Sequence, residues 1–343
     1  MSIETPYLLY LGHSTDPVEI KTSRGIAVFR REICVGEFRH DDCPLTLDLP
    51  RLTFAEAVQQ GAKTLVLGIA NAGGTFAKPV IEDALAAMEA GLDLAAGLHQ
   101  QLADQPAITG AARRLGRKLH DVRKPSPDLR VATGAPRTGN RLLTIGTDCS
   151  VGKMYSSLSL VKGLTERGVT ADFRATGQTG ILIAGAGVPL DAVPADFISG
   201  AIEELAPARS DAGWDIIEGQ GSLYHPSFAG VSLGLLHGAQ PQALVLCHNP
   251  AREHMRHLPG YALPDLAECL AANLAAARLT SPNVRAVGIA LDTSSMGEDM
   301  ARRLCDTIGA SLDLPCTDPH RFGVEAILDK LLAKDESGIQ AVA

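Results

Sequence analysis

The residues of this sequence best equipped for chemistry are consecutive: Gly146-Thr147-Asp148-Cys149-Ser150-Val151-Gly152-Lys153-Met154. Two glycines bracket a short loop and a lysine follows. That is the composition of a phosphate cradle, in which backbone N–H groups at a helix N-terminus and one ammonium solvate a diphosphate. Five residues separate the glycines, one more than in the usual Walker A loop. Met154 stands where a serine or threonine hydroxyl normally holds Mg²⁺, and a thioether is a poor ligand for that hard cation. The loop is therefore expected to bind a diphosphate without cutting it, and to require no metal.

Other candidates surround that loop. The apolar run Trp214-Asp215-Ile216-Ile217 delivers Glu218, followed by Gly219-Gln220-Gly221-Ser222. An acidic residue at the end of an apolar strand is the Walker B arrangement, so Glu218 is aimed at the phosphate-loop crevice. There it would hold Mg²⁺ through water in a nucleotide hydrolase, or accept the proton of an attacking amine in an acyltransferase. His225 follows closely and is the second candidate base, with Glu218 expected to fix its tautomer. Arg174 and Arg252 suit bidentate pairing with a substrate carboxylate. Gln178, Thr179, Gln220 and Ser222, with Gly73 and Gly74, lie after strands, where parallel sheets bind ligands, and are expected to contact substrate. His13-Ser14-Thr15-Asp16 has a similar position, and Asp292-Thr293-Ser294-Ser295 with Thr317-Asp318-Pro319 would frame a nucleotide base. His254 and His257 share one face of an expected helix with Arg252 and Arg256 interleaved, and a solvated basic face is preferred there to a metal site. Cys149 beside Lys153 is expected to have a lowered pKa, which opens a covalent acyl-cysteine route, although a chemically silent loop residue is favoured.

The elements needed to position these residues are legible. An apolar strand over 142–145 enters the loop, and Met154, Leu158, Val161 and Leu164 follow at the spacing of one helical face. Upstream, Thr53 and Glu56 form a capping box, Gly61 and Gly91 stop helices, and strands over 8–12, 64–69, 92–96 and 119–123 alternate with helices. That alternation implies parallel sheets. Prolines and glycines concentrate over 124–139, which favours an extended connector. The division reads 1–129 as an N-terminal α/β domain, 130–140 as a linker, 141–334 as a P-loop domain and 335–343 as a tail. At 343 residues, with 45 % hydrophobic residues, few aromatics and 34 glycines, the chain has the composition of a two-domain α/β protein. A net charge of −8 argues against general nucleic-acid binding. Seven scattered cysteines without a C-x-x-C pair, no signal-type N-terminus and no bilayer-length apolar run favour a cytoplasmic protein away from membranes.

The loop resembles that of dethiobiotin synthetase through Gly-Thr-Asp and Val-Gly-Lys. Over a longer span, the loop, Arg174-Ala175-Thr176-Gly177-Gln178-Thr179-Gly180, 218–222 and the run from His225 to Gly238 resemble the bacterial D-glutamate N-acetyltransferases. That resemblance covers nearly the whole chain. It implies a Rossmann-like N-terminal domain, a P-loop C-terminal domain, and acetyl transfer from acetyl-CoA to the amine of D-glutamate. A homo-oligomer acting on a small molecule is expected. The alternatives are an ATP- and Mg²⁺-dependent ligase or carboxylase like dethiobiotin synthetase, and a non-catalytic nucleotide sensor.

Overall fold

The computed structural model describes residues 3–17, 19–69 and 75–333. Gly73, Gly74 and the tail over 335–343 lie outside them. The chain divides into two compact units, residues 1–129 with 175–193, and residues 130–174 with 194–343. Both are α/β, as the alternating pattern predicts.

The first unit contains β1 (Tyr7–Gly12), α1 (Lys21–Phe29), β2 (Cys34–Arg39), α2 (Phe54–Gln59), β3 (Thr64–Leu67), α3 (Lys78–Ala90), β4 (Asp93–Ala96), α4 (Pro106–Leu115) and β5 (Leu119–Asp121). The strands form one parallel sheet in the order β2-β1-β3-β4-β5. Leu8, Leu65, Leu67 and Leu94 bury its faces against helix residues such as Ala84, Met88 and Ile108. Thr53 and Glu56 make the capping box that starts α2, and Gly91 ends α3 at φ 113°, a conformation that favours glycine.

The second unit contains β6 (Asn140–Gly146), α5 (Lys153–Glu166), β7 (Ala171–Arg174) and, after α6 (Gln178–Ala184), α7 (Ile198–Leu205), β8 (Trp214–Ile217), α8 (Ala229–Ala239), β9 (Ala243–His248), β10 (His254–Met255), β11 (Leu258–Ala262), α9 (Leu266–Arg278), β12 (Arg285–Leu291), α10 (Glu298–Leu312), β13 (Cys316–Thr317) and α11 (Glu325–Leu332). Its parallel sheet runs β13-β12-β9-β6-β8-β7. The strand that feeds the phosphate loop is thus flanked by the strand that delivers Glu218 and by β9. Leu142, Val245, Ile216 and Leu160 lie at the centre of its core.

Two expectations fail here. α6 belongs to the first unit, although its sequence falls inside the stretch read as the P-loop domain. Its Thr179 hydroxyl bonds that of Thr22 at 2.9 Å, and the Ile183 carbonyl accepts from Arg30. Gln178 packs so closely on Gly97 that a Cβ there would meet its Oε1 at 2.2 Å. Gln178 and Thr179 are therefore packing residues of the first unit. The segment read as a helix bearing His254 and His257 is instead the β10–β11 hairpin, with His257 in its turn at φ 64°. Pro250 before it and Pro259-Gly260 within it disfavour a helix there. All seven cysteines are free. Among the described residues, no helix is long and apolar enough to cross a membrane.

Candidate functional site

The phosphate loop leaves β6 at Gly146 and enters α5 at Lys153, as its sequence predicts. Ser150 at φ 52° and Gly152 at φ 90° bend the backbone through the left-handed region. The first turn of α5 has N–H groups with no carbonyl four residues back, so the loop presents donors and the positive end of a helix dipole. Lys153 is folded inward: its Nζ donates to the carbonyls of Asp148 at 2.6 Å and Gly221 at 2.8 Å. Burial pushes its pKa below the usual lysine range, against the pull of Asp148 and Glu218. Two glycines make room for that side chain. A Cβ at Gly146 would lie 3.0 Å from Nζ, and one at Gly219 would lie 2.9 Å from Cδ and only 1.7 Å from the Thr144 carbonyl oxygen.

Asp148 is fully buried, and both of its oxygens accept hydrogen bonds. Oδ1 takes the Cys149 N–H at 2.6 Å; Oδ2 takes the Arg256 N–H at 2.7 Å and Arg252 Nη1 at 3.2 Å. Arg252 also donates to the carbonyls of Cys149 and Ser150, each at 2.7 Å, and Arg256 Nη1 reaches Ser150 Oγ at 2.5 Å. Position 154 offers sulfur where a hard cation prefers oxygen, and both oxygens of Asp148 accept N–H donors, which leaves Glu218 as the other carboxylate at the loop. Arg252, expected to hold a substrate carboxylate, instead braces the loop. Arg256, interleaved with His254 and His257 beside Arg252 and a candidate for the same carboxylate pairing, lies at the loop as well.

Glu218 follows β8 and is buried, and its charge acts on Lys153. His225 is also buried, with Nε2 4.0 Å from Asp148 Oδ1. Its Nδ1 accepts the Ser227 N–H at 3.1 Å, so the proton of the neutral ring sits on Nε2. In this arrangement the ring presents Nε2–H as a donor. The Gly219 N–H is likewise taken, by Thr144 Oγ1 at 2.9 Å, which removes it from any oxyanion site. Gln220 and Ser222 line a small cleft with Thr144, Gly146 and Asn273.

Arg174 is committed elsewhere. Together with Arg209 it pairs the fully buried Asp215, at 2.8 and 2.7 Å, so it holds the β7 edge of the sheet. The nucleotide-base candidates also bind each other, Asp318 accepting from the Thr293 N–H and hydroxyl at 3.0 and 2.6 Å. Cys149 departs from expectation in sign. Burial raises its thiol pKa and outweighs the attraction of Lys153, with Asp148 adding to the rise. We therefore expect Cys149→Ser to keep activity within about twofold, with no acyl adduct on the intact protein by mass spectrometry, because so little thiolate is present. A trapped acyl-cysteine would overturn that assignment.

In the first unit, His13 bonds Asp42 at 2.8 Å and His40 bonds Asp83 at 2.8 Å, with the Tyr10 hydroxyl also on Asp83. The imidazoles stack with centroids 3.9 Å apart and planes 4° apart. One ligand atom each from His13, His40 and Asp83 lies within 4.8 Å of the others.

Comparison with known proteins agrees with these two halves. Residues 38–125 match a domain of unknown function described as the DUF1611 N-terminal Rossmann-like domain, and residues 130–328 match the DUF1611 C-terminal P-loop domain. A crystal structure of a DUF1611 protein from Anabaena variabilis superposes with a TM-score of 0.86 at 33 % identity, covering 96 % of this chain and 99 % of that one. A protein from a Pseudoalteromonas species named D-glutamate N-acetyltransferase is 47 % identical, over 96 % of this chain and 100 % of its own length. One of the same name from Tritonibacter scottomollicae is 46 % identical, over 96 % and 99 %. With both domain types matched in order and likeness running nearly end to end, the chain belongs to the DUF1611 family.

Proposed function

We propose that this protein is an acetyl-CoA-dependent N-acetyltransferase acting on the amine of D-glutamate. The donor half of that reading is carried by one observation: the phosphate loop spends its only carboxylate, Asp148, on N–H donors and has methionine at the magnesium position. Such a cradle suits a diphosphate that serves as a handle, as in coenzyme A, whose reacting thioester is remote from its phosphates. The acceptor half is supported by the names of relatives 46–47 % identical over almost the full chain.

In this mechanism residues 146–154 hold the diphosphate through backbone N–H groups and Lys153. The substrate ammonium gives a proton to a base, and the amine nitrogen attacks the thioester carbonyl carbon. The C–S bond then breaks, the attacking nitrogen gives up its remaining extra proton to become the amide, and that proton converts the leaving thiolate to coenzyme A. Glu218 is the base, since the lone pair of His225 is engaged by Ser227, and the pantetheine arm folds back toward the loop to bring the thioester within its reach. His225 serves as an Nε2–H donor beside Asp148, and Gln220 and Ser222 are the substrate contacts that remain from the sequence-derived set. The free cysteines fit a reducing cytoplasm.

The test pairs binding with turnover. Acetyl-CoA and coenzyme A should raise the melting temperature equally in EDTA and in Mg²⁺, while ATP with Mg²⁺ gives a smaller shift. D-glutamate should then release free thiol from acetyl-CoA. A metal-dependent ATP response with ATP turnover would favour the ligase reading, and acetyl-CoA binding without acetylation across an amino-acid panel would favour a sensor.

A further inference from the structure

We infer that Arg252 and Arg256 are the counter-charge to the ligand's diphosphate, doing for this loop what a bound magnesium ion does for a nucleotide-cleaving one. The inference deepens the reading that the loop holds a coenzyme A thioester, but its core concerns any diphosphate. Three cations, Lys153, Arg252 and Arg256, gather at the loop against two carboxylates, Asp148 and Glu218.

The arginines are held in place by the fold. β9 ends at His248, whose Nδ1 meets the Thr147 hydroxyl at 3.0 Å, and Asn249 then anchors the turn by donating to Asp292 and accepting from the Ala251 N–H, both at 3.0 Å. Buried Met255 fastens β10 from the other side. Between these anchors Arg252 lies across the loop carbonyls of Cys149 and Ser150. Bonding those oxygens cancels the part of the loop that would repel an anion, and leaves its N–H edge to the ligand. Arg256 is only half-buried, and among the described residues its side chain bonds Ser150 Oγ through Nη1. A guanidinium has five N–H donors in a planar fork that matches phosphate oxygens, so most of Arg256 is open to an incoming diphosphate. Asp148 has a distinct role here, holding Arg256 by its backbone and Arg252 by its side chain. The resulting site selects coenzyme A and its thioesters without metal, in preference to a magnesium–nucleotide complex.

The experiment is calorimetric titration of the full-length protein and of Arg256→Gln, Arg252→Gln and Arg256→Lys. Acetyl-CoA and inorganic pyrophosphate serve as probes, each in EDTA and in excess Mg²⁺ and across a range of KCl. The native protein should bind both probes equally well with and without metal. Arg256→Gln should weaken both by about 10- to 100-fold, the span of one hydrogen-bonding charged partner, with a shallower salt dependence and partial recovery in Mg²⁺. Arg256→Lys, which keeps the charge without the fork, should fall between. Arg252→Gln should weaken both probes as well. Native protein that needs Mg²⁺ for both probes, or glutamine variants that bind like it or weaken with an unchanged salt slope, would overturn the inference. Metal-free pyrophosphate binding without acetyl-CoA binding would keep the clamp and discard the acyl-donor reading. Acetyl-CoA binding unaffected by the glutamine substitutions would do the reverse.

Discussion

Lys153→Met should reduce acetyl-CoA affinity at least about 100-fold, roughly 2.7 kcal/mol, while changing the stability of the ligand-free protein by no more than about 1 kcal/mol at pH 7. The two effects separate because the ammonium is useful only when a phosphate is present. Without ligand it is 6 % exposed, with two backbone carbonyls as its acceptors, and burial holds its pKa below the usual value. Replacing it with an unbranched apolar side chain removes that desolvation cost and also the two hydrogen bonds, and these changes oppose one another. The pH profile isolates the charge. Between the lowered folded-state pKa and the unfolded lysine value of 10.5, the unfolded chain binds more protons. Stability should therefore rise with pH through that window, and the proton penalty should be fully present below it. Urea melts at pH 7 and pH 9.5 should show a rise for the native protein that is reduced in Lys153→Met. Saturating acetyl-CoA should flatten the native profile, since bound phosphate favours the charged lysine. A variant that binds acetyl-CoA like the native protein would refute the assignment of this loop to the donor.

What was readable in the sequence is what depends on neighbours close along the chain. The loop at 146–154, the helix that follows it, the strand that delivers Glu218 and the capping box of Thr53 with Glu56 are each contained in a short window, and each is in place. What a short window leaves out is partners distant in sequence. Arg174 looked like a carboxylate ligand, but its guanidinium is held by Asp215, 41 positions away. His225 lies close to Glu218 in sequence, and its imidazole also comes within 4.0 Å of Asp148 in the phosphate loop, 77 positions earlier. Gln178 and Thr179 followed a strand as ligand-contacting residues should, but Gly97 and Thr22 in the first unit claim them. The hairpin after β9 was misread because its histidines and arginines are spaced three and four apart. That spacing is helical in a helix and coincidental in two short strands joined by a turn.

Gly219→Ala should be the most damaging single-methyl addition in the second unit, lowering its stability by about 3 kcal/mol or more, because the added carbon has no direction in which to relax. It would lie 1.7 Å from the carbonyl oxygen of Thr144. Thr144 belongs to β6, which is hydrogen-bonded to β8 on one side and β9 on the other. Moving that oxygen means moving a central strand, and the Lys153 side chain, 2.9 Å from the same point, blocks the alternative. The contrasting substitution is Gly230→Ala on α8, where a Cβ would meet nothing within 4 Å. There alanine should be neutral to stabilising by about 0.5 kcal/mol, since Gly230 is in the first turn of α8 and the glycine penalty is largest in a helix interior. Urea unfolding of both variants beside the native protein decides the matter. Gly219→Ala should shift the midpoint down sharply and lose acetyl-CoA binding, because Thr144, Gly219 and Lys153 pack as one unit under the loop. A midpoint shift for Gly219→Ala as small as that of Gly230→Ala would mean that this packing is looser than the structure places it, and that Lys153 is not held where the diphosphate needs it.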